Sequence, residues 1–186
     1  MRIIAGRSKG RILKSVKGRN TRPTSDKVKE SVFNIIQDRL QESVVLDLFA
    51  GTGNLGLEAL SRGAEKVVFV DKNGEAIKTV KENCIALGYK GQSEIIRNDV
   101  LRYLPELKRL GMVFDIIFMD PPYHIGLGEK VLSSIEDLNI LDGTGIVVAE
   151  HDAKVILPHR QAGLLRYDQR RYGGTMVSFY RKDGTR

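Results

Sequence analysis

The tetrapeptide Asp120-Pro121-Pro122-Tyr123 combines a carboxylate, a rigid turn and an aromatic ring within four residues. It follows the apolar run 113–119, so we expect it where a buried strand ends. A carboxylate and a proline carbonyl can both accept hydrogen bonds from a planar amine, and proline has no N–H that would compete. Tyr123 can stack on the ring that carries the amine. These four residues are therefore the candidate catalytic residues.

A glycine-rich segment follows the first predicted strand. Residues 51–56 read Gly-Thr-Gly-Asn-Leu-Gly and fit the pattern G-x-G-x-x-G, in which the backbone turns tightly and approaches a ligand. Asp71 lies at the end of the next strand, twenty residues after Gly51, where its carboxylate can accept from two ribose hydroxyls. This pair suits a nicotinamide dinucleotide or another ligand that contains adenosine.

Two further polar positions favour a ligand other than a dinucleotide. Asp47 lies inside the first strand, four residues before Gly51, where it can reach a cationic amino group and would repel a pyrophosphate. Asn98 and Asp99 end the third strand and offer an acceptor for the exocyclic amine of adenine. With Asp71 they describe a ligand that has an amino acid end, a ribose and an adenine, which is S-adenosylmethionine.

Several segments of the chain resemble one known family. Residues 47–53 and the Asp-Pro-Pro-Tyr motif look like those of class I S-adenosylmethionine-dependent methyltransferases that modify exocyclic amines of bases. Further segments are similar to the bacterial small-subunit ribosomal RNA guanine-N2 methyltransferase family, the RsmD family: residues 1–6, 22–34, 46–63, 98–100 and 172–173. The Asp-Pro-Pro-Tyr motif alone also occurs in adenine-N6 and some glutamine methyltransferases, so the N-terminal segment narrows the match.

The resemblance implies a reaction and a role for individual residues. The motif would hold the N2 amine of a guanine in small-subunit (16S) ribosomal RNA, in assembled or assembling 30S particles, with Tyr123 stacked on the base. The residues implied to bind S-adenosylmethionine are Asp47, Phe49, Ala50, Gly51, Gly53, Asp71, Lys72, Asn98, Asp99 and Val100.

The net charge of +7 is concentrated at the amino end of the chain. Residues 1–30 carry a charge of +8, whereas the remaining 156 residues carry −1. Because apolar residues are interspersed in this segment, we expect a phosphate-contacting hairpin formed by residues 2–5 and 11–16, not a disordered tail. We assign residues 1–22 to this extension and 23–186 to the methyltransferase domain. The candidate RNA-binding residues are Arg2, Arg7, Lys9, Arg11, Arg19, Arg22, Thr24 and Lys27.

The hydrophobic pattern alternates between strands and helices over most of the chain. Apolar runs predict buried strands at 44–49, 66–71, 94–97, 113–119 and 145–150, with helices between them. This alternation predicts an α/β fold with a parallel sheet covered on both faces, followed by a terminal antiparallel hairpin. The resemblance implies a Rossmann-like class I methyltransferase fold, with a seven-stranded, mostly parallel sheet whose last strand is antiparallel.

Composition and cysteine content exclude several classes of protein. The chain is 41% hydrophobic and 28% charged, as in ordinary globular domains, and no apolar run reaches the ~18 residues of a membrane span. Cys84 is the single cysteine, so an internal disulfide is excluded and a core position is expected. The histidines are too scattered to bind a metal. We expect a cytoplasmic monomer that binds neither metal nor membrane.

Three alternatives remain open. An adenine-N6 nucleic-acid methyltransferase would use the same motif, although such enzymes usually need an added target-recognition region. A nicotinamide-dependent oxidoreductase would use the glycine segment but leaves Asp47 and the Asp-Pro-Pro-Tyr motif unexplained. A non-enzymatic RNA-binding assembly factor would not need an intact cofactor site. His124 could be recruited to the site or be an ordinary loop histidine, and the segment Arg170-Arg171-Tyr172 could contact RNA or simply edge the final hairpin.

Overall fold

Alternating strands and helices make up most of the chain, which the computed structural model describes over residues 1–15, 26–122 and 126–185. The helices are α1 (Asp26–Ile35), α2 (Asn54–Ser61), α3 (Gly74–Leu87), α4 (Val100–Arg109) and α5 (Leu127–Asp137). The strands are β1 (Val44–Leu48), β2 (Lys66–Asp71), β3 (Ser93–Arg97), β4 (Phe114–Met119), β5 (Leu141–Asp152), β6 (Arg160–Gln161), β7 (Leu164–Tyr172) and β8 (Thr175–Lys182). Single 3₁₀ turns lie at Gln37–Arg39 and Lys90–Gln92. The predicted alternation is confirmed.

All eight strands join one sheet in the order β3-β2-β1-β4-β5-β8-β7-β6. Strands β1 to β5 are parallel to one another, and β8 runs antiparallel to both of its neighbours. The last strand is therefore antiparallel, as predicted. The sheet has eight strands where seven were expected, because Arg160–Gln161 adds a two-residue strand beside β7. The strand order reverses between β1 and β4, where open α/β sheets bind their ligands.

Helices cover both faces of the sheet and bury its parallel strands. Helices α1, α2 and α3 pack on one face, where Phe33 lies 5.5 Å from Phe118 between ring centroids. Helices α4 and α5 cover the other face. Cys84 is buried in the first of these layers, as predicted. None of the helices in the described ranges is long and apolar enough to cross a membrane.

Residues 1–15 form a loop that we call the N-terminal hairpin. Its two sides meet at one antiparallel bridge between Arg2 and Ile12, and the Ile3 N–H donates to the Arg11 carbonyl over 2.9 Å. The predicted hairpin is therefore present. Within the described residues, its two sides are joined by a single β-bridge and do not form an extended β-ladder. The boundary predicted at residue 22 lies outside the described residues.

The N-terminal hairpin packs against the domain and does not project from it. Ile3 and Leu13 are buried in the same core layer as α2 and α3. Gly6 has a positive φ of 79°, and a Cβ atom there would lie 1.8 Å from the carbonyl oxygen of Ser61 in α2. Only glycine allows so close an approach. The hairpin is thus an integral part of the fold.

Candidate active site

Two of the predicted motifs begin side by side at the reversal of strand order. Leu48 of β1 and Met119 of β4 are partners in the parallel pairing of these strands. Phe49, which opens the glycine segment, and Asp120, which opens the Asp-Pro-Pro segment, each follow one of these partners directly. The structure therefore brings together two motifs that lie far apart in the sequence.

Asp71 holds the turn formed by residues 49–53, which we call the glycine turn. The Gly51 N–H donates to one oxygen of the Asp71 carboxylate at 2.9 Å, and the Asn73 N–H donates to the other at 2.8 Å. Phe49 has a positive φ of 60°, a strained conformation for a residue with a side chain and one that is frequent at ligand sites. A Cβ atom on Gly51 would meet no atom closer than 3.9 Å, so space for a ligand remains beside the turn.

Asp47 is buried beneath the glycine turn and is 3% exposed. One of its oxygens accepts a hydrogen bond of 2.9 Å from the Gly56 N–H in α2. Helix α2 can lie this close to β2 because residue 56 is a glycine. A Cβ atom there would be only 2.3 Å from the Phe69 ring of β2. Burial raises the pKa of Asp47 to about 8, and the negative charges of Asp71 and Asp120 act in the same direction. Within the described residues, no basic side chain forms an ion pair with Asp47.

The loop after β3 lies next to the end of β2. The Asn98 N–H donates to the Asp71 carbonyl at 3.1 Å. Asp99 caps helix α4 and accepts from the Arg102 N–H at 3.3 Å, so its carboxylate already has a structural task. Asn98 and Asp99 are exposed, whereas Val100 is buried. Lys72 is exposed directly after Asp71.

Asp120 lies beside a second carboxylate on the adjacent strand. Met119 and Ala149 are paired in β4 and β5, and Asp120 and Glu150 each follow one of them. Asp120 is an exposed residue, but nearby protein atoms limit the hydration of its carboxyl group. This loss of hydration raises the pKa of Asp120 to about 7, and the charge of Glu150 adds to the effect. We call the four carboxylates Asp47, Asp71, Asp120 and Glu150 the acidic edge.

A cleft of about 360 Å³, part of it open solvent, lies beside Pro121 and Pro122. Its other lining residues come from the N-cap and first turn of α5, from the end of β5 and from the loop after β5: Gly126, Gly128, Glu129, His151, Val155 and Leu157. His151 is buried, and its Nε2 lies 2.9 Å from the Ser178 hydroxyl. Burial lowers the pKa of His151, which fits a neutral structural role in the sheet. Tyr123 and His124 lie outside the described residues.

Three of the predicted RNA-binding arginines contact the protein itself. Arg2 pairs with Asp26 at 3.0 Å, the Arg7 guanidinium lies 4.4 Å from the Tyr89 ring centroid and bonds to Gln92, and Arg11 donates to the Ala86 carbonyl at 2.8 Å. These contacts fasten the N-terminal hairpin to α1 and to the end of α3. The three side chains are nevertheless exposed, so each has a face open to solvent.

Of the remaining predicted RNA-binding residues, two have no ion pair within the described ranges and three lie outside those ranges. Lys9 and Lys27 are exposed and form no ion pair within the part of the chain that the structure describes. Arg19, Arg22 and Thr24 fall in residues 16–25, which the structure does not describe. Among the predicted RNA-binding residues that the structure describes, Lys9 and Lys27 thus differ from the three arginines in having no side-chain partner within the described ranges.

A buried ion pair that no sequence pattern indicated joins the N-terminal hairpin to α1 and α2. Lys29 Nζ lies 3.2 Å from the Glu58 carboxylate and donates to the Arg2 carbonyl at 2.6 Å. Glu58 also accepts from the N–H groups of Ile4 and Ala5 at 2.8 and 3.0 Å. Lysine and glutamate in helices are usually exposed to solvent, so the sequence gives no reason to expect this pair in the interior.

The segment Arg170-Arg171-Tyr172 serves the end of the sheet. Arg170 pairs with Asp168 at 3.0 Å, and Arg171 donates to the Gly173 carbonyl at 3.1 Å. The Tyr172 hydroxyl bonds to the Ser31 hydroxyl of α1. These contacts favour the sheet-edge interpretation of the segment. In the described ranges, no three His, Cys, Asp or Glu side chains group as a metal ion would require.

Comparison with known proteins identifies the family. The family described as Conserved hypothetical protein 95 matches residues 1–181. The Bacillus subtilis protein YlbH is 45% identical over 184 residues, which are 99% of this chain and 100% of that protein. Haemophilus influenzae Ribosomal RNA small subunit methyltransferase D is 37% identical over 161 residues, which are 85% of this chain and 83% of that protein.

A solved structure supports the same conclusion at the level of the fold. The Escherichia coli protein yhhF superposes with a TM-score of 0.88 at 27% identity, covering 100% of this chain and 99% of that chain. The predicted class I methyltransferase fold is thereby confirmed. The chain belongs to the Conserved hypothetical protein 95 family, which is the RsmD family of methyltransferases.

Proposed function

We propose that the protein transfers a methyl group from S-adenosylmethionine to the exocyclic N2 amine of a guanine in small-subunit (16S) ribosomal RNA, in assembled or assembling 30S particles. The observation that carries the proposal is the position of Asp120 beside the glycine turn, at the reversal of strand order. The name of the Haemophilus influenzae relative supports the RNA substrate. Guanine N2 rests on the N-terminal resemblance. We expect a cytoplasmic monomer.

The acidic edge fits S-adenosylmethionine, which carries a sulfonium and an ammonium charge. The pKa of Asp47 is about 8 because burial and neighbouring carboxylates disfavour its charge. A cationic ligand would favour the ionised form and satisfy this group. A dinucleotide would bring a pyrophosphate to the same edge and be repelled. This observation favours S-adenosylmethionine over a nicotinamide cofactor.

Each part of the cofactor has residues that would hold it. Asp47 would accept from the amino group, and Asp71 would accept from the ribose hydroxyls. Asn98, Asp99 and Val100 would surround the adenine. The rest of the proposed cofactor site consists of Phe49, Ala50, Gly51, Gly53 and Lys72. When bound, S-adenosylmethionine supplies a methyl group that its sulfonium activates for nucleophilic attack.

Asp120 and Pro121 would make the amine a nucleophile. The lone pair of a guanine N2 is delocalised into the ring, so the planar amine is unreactive. The Asp120 carboxylate and the Pro121 carbonyl would accept its two hydrogens and favour a pyramidal nitrogen with a localised lone pair. Positioning is the main contribution to rate. Asp120 then takes the proton that the amine loses, and its pKa of about 7 suits that role.

The target base must leave its stack to reach this site. An amine inside a helix is inaccessible, so the base is unpaired or flipped when it reacts. The cleft beside Pro121 and Pro122 offers a place for its ring. Tyr123 would replace the lost stacking, which is the role that its sequence position predicts.

The decisive experiment offers labelled S-adenosylmethionine to naked small-subunit RNA, unmodified small subunits and DNA, and then identifies the methylated nucleoside. We expect N2-methylguanosine in small-subunit RNA. Methyladenosine would support the adenine-N6 alternative, and label in DNA alone would contradict the RNA substrate. Preferential binding of NADH over S-adenosylmethionine in calorimetry would favour the oxidoreductase. Cofactor binding without transfer to any substrate would favour an assembly factor.

Asp120→Asn tests the motif with a matched control. The amide keeps the size of the side chain but cannot take a proton, so we expect normal cofactor affinity and a loss of transfer of at least about 100-fold. The control is Asp142→Asn. Asp142 lies near the amino end of β5, at the opposite end of the parallel strands from Asp120. It should retain activity. Equal activity in both variants would remove Asp120 from the mechanism.

A further inference from the structure

Asn83 on α3 bonds to the N-terminal hairpin and to the glycine turn at once. Its side chain is buried, with 2% of the residue exposed. The Oδ1 atom accepts from the Lys14 N–H at 2.9 Å. The Nδ2 group donates to the Lys14 carbonyl at 3.2 Å and to the Thr52 carbonyl at 3.1 Å. One amide therefore joins the backbones of two segments that carry different proposed tasks.

Two further contacts run from the start of the hairpin to the same turn. The Thr52 hydroxyl donates to the Met1 sulfur at 3.6 Å. Lys29 donates to the Arg2 carbonyl and, at 2.7 Å, to the Asn54 side chain directly after the turn. Both ends of the hairpin thus reach residues 52–54.

The glycine turn depends on such outside contacts for its shape. Gly51 and Gly53 both have positive φ, and glycine has little intrinsic preference for one backbone conformation. Asp71 fixes the turn on the side of β2. Asn83 fixes it on the side of the hairpin through Thr52. Loss of the second contact would let the turn sample conformations that do not fit a ligand.

We propose that Asn83 is a positioning residue that couples RNA binding at the N-terminal hairpin to cofactor binding at the glycine turn. The inference rests on the proposed function, because it assumes that the hairpin meets RNA and that the turn meets the cofactor. RNA that holds the hairpin in place lowers the conformational entropy still to be lost when the cofactor orders the turn. By linkage, the cofactor tightens RNA binding by the same factor.

The test measures the affinity for S-adenosylhomocysteine by calorimetry, with and without saturating unmodified small subunits. In the wild type, we expect the subunits to tighten binding at least about fivefold, the low end of ordinary coupling. In Asn83→Ala, binding to the free protein should weaken and the tightening by subunits should disappear. The matched control is Thr79→Ala, one turn earlier on the buried side of α3, where the hydroxyl donates to the Glu75 carbonyl and, within the described residues, bonds to neither the hairpin nor the glycine turn. It should keep the tightening.

The outcomes separate this inference from the proposed function. A wild type that does not bind S-adenosylhomocysteine contradicts the proposed function itself. A wild type that binds equally with and without subunits, or a folded Asn83→Ala that keeps the tightening, overturns the coupling alone. Asn83→Ser serves if the alanine variant does not fold, because its hydroxyl replaces at most one of the two donated hydrogen bonds. It should also lose the tightening, and keeping it would overturn the proposal.

Discussion

At the scale of single residues, the buried carboxylate of Asp47 destabilises the free protein, and a bound cation would remove this destabilisation. Its pKa lies near 8, far above the ordinary value of 3.8, because it is buried among carboxylates. Between pH 3.8 and about pH 8, the Asp47 carboxyl group is protonated in the folded state and ionised in the unfolded state. Stability therefore falls as pH rises through this window. A residue that destabilises the fold on its own is better explained by binding than by folding.

Asp47→Asn should make the free protein more stable and a poorer binder. The amide keeps an oxygen for the Gly56 N–H but has no charge to bury. Since one pKa unit corresponds to about 1.4 kcal/mol, we expect a gain of at least about 2 kcal/mol above pH 8. The gain should vanish near pH 4. Urea unfolding across this range measures it, and calorimetry with S-adenosylhomocysteine should show weaker binding.

Asp142→Asn is the control with the opposite sign. Hydrogen bonds from Thr144, the N–H first, lower the pKa of Asp142. Its contribution to stability is therefore present above pH 4 and lost as pH falls through its folded pKa. The asparagine variant should lose stability at neutral pH. A similar pH dependence in both variants would contradict the explanation given for Asp47.

Glu150→Gln should shift the pH dependence of transfer. In the proposed mechanism Asp120 must be ionised to take the proton of the amine, so kcat/KM for RNA should rise as the pH passes through about 7. Loss of the Glu150 charge lowers the pKa of Asp120, but by less than half of its shift, because burial is the larger cause. The acidic limb of the profile of kcat/KM against pH, which is its low-pH side, should therefore move to lower pH. Rates are measured at saturating cofactor, which keeps Asp47 ionised.

Glu129→Gln provides the comparison for Glu150. Glu129 is an exposed carboxylate that lines the cleft beside Pro121 and Pro122, but it is not among the groups that raise the pKa of Asp120. Its variant should keep the acidic limb of the wild type. An equal shift in both variants would mean that the pH dependence reports the total charge near the site and not the ionisation of Asp120.

At the scale of helices and strands, local patterns predicted what local physics controls. Apolar runs predicted β1 to β4, and the polar residues after them predicted where the candidate site lies, because parallel strands end on one side of the sheet. The packing of the hairpin on α2 was not predictable in the same way. It depends on the Gly6 contact with Ser61 and on Lys29 with Glu58, which are pairs remote in sequence. Strand β6 was missed because two residues carry no periodicity.

Lys29→Met should strongly destabilise the contact of the hairpin with α1 and α2. The pKa of Lys29 is lowered by burial, against the opposing effect of Glu58, so this ion pair exists at a desolvation cost. Removal of Lys29 leaves Glu58 buried with Arg62 as its charged partner at 2.8 Å. We expect a loss of about 3 kcal/mol, and Lys29→Met/Glu58→Gln should cost less than the sum of the single changes. Urea unfolding measures the cycle.

The exposed pair Lys66 and Glu94 offers the matched control cycle. Its side chains lie 2.9 Å apart, but they are 43% and 35% exposed. Solvent screens such a pair, so its coupling should stay within about 1 kcal/mol. If the two cycles gave equal coupling energies, the buried pair would have no special part in holding the hairpin.

At the scale of the whole molecule, the charges separate into two regions. The basic residues gather in the first 30 residues, and the carboxylates of the acidic edge gather at the ends of four parallel strands. Sequence alone predicted the basic amino end, because net charge is additive and needs no contacts. It did not predict that Arg2, Arg7 and Arg11 already have partners, since those depend on the fold. A basic surface attracts RNA phosphates, and an acidic edge repels them and attracts a cation.

The salt dependence of RNA binding should identify which basic residues meet phosphate. Affinity for RNA falls as salt rises. Each lost phosphate contact lowers the magnitude of the slope of log affinity against log salt by about 0.7 to 0.9. We expect Lys9→Gln/Lys27→Gln to lower it by about 1.5, because both side chains are exposed and form no ion pair in the described ranges. Arg7→Gln should change the slope less and lower the Tm, since it loses the Tyr89 stack and the bond to Gln92. An unchanged slope in the lysine variant would place the RNA elsewhere on the molecule.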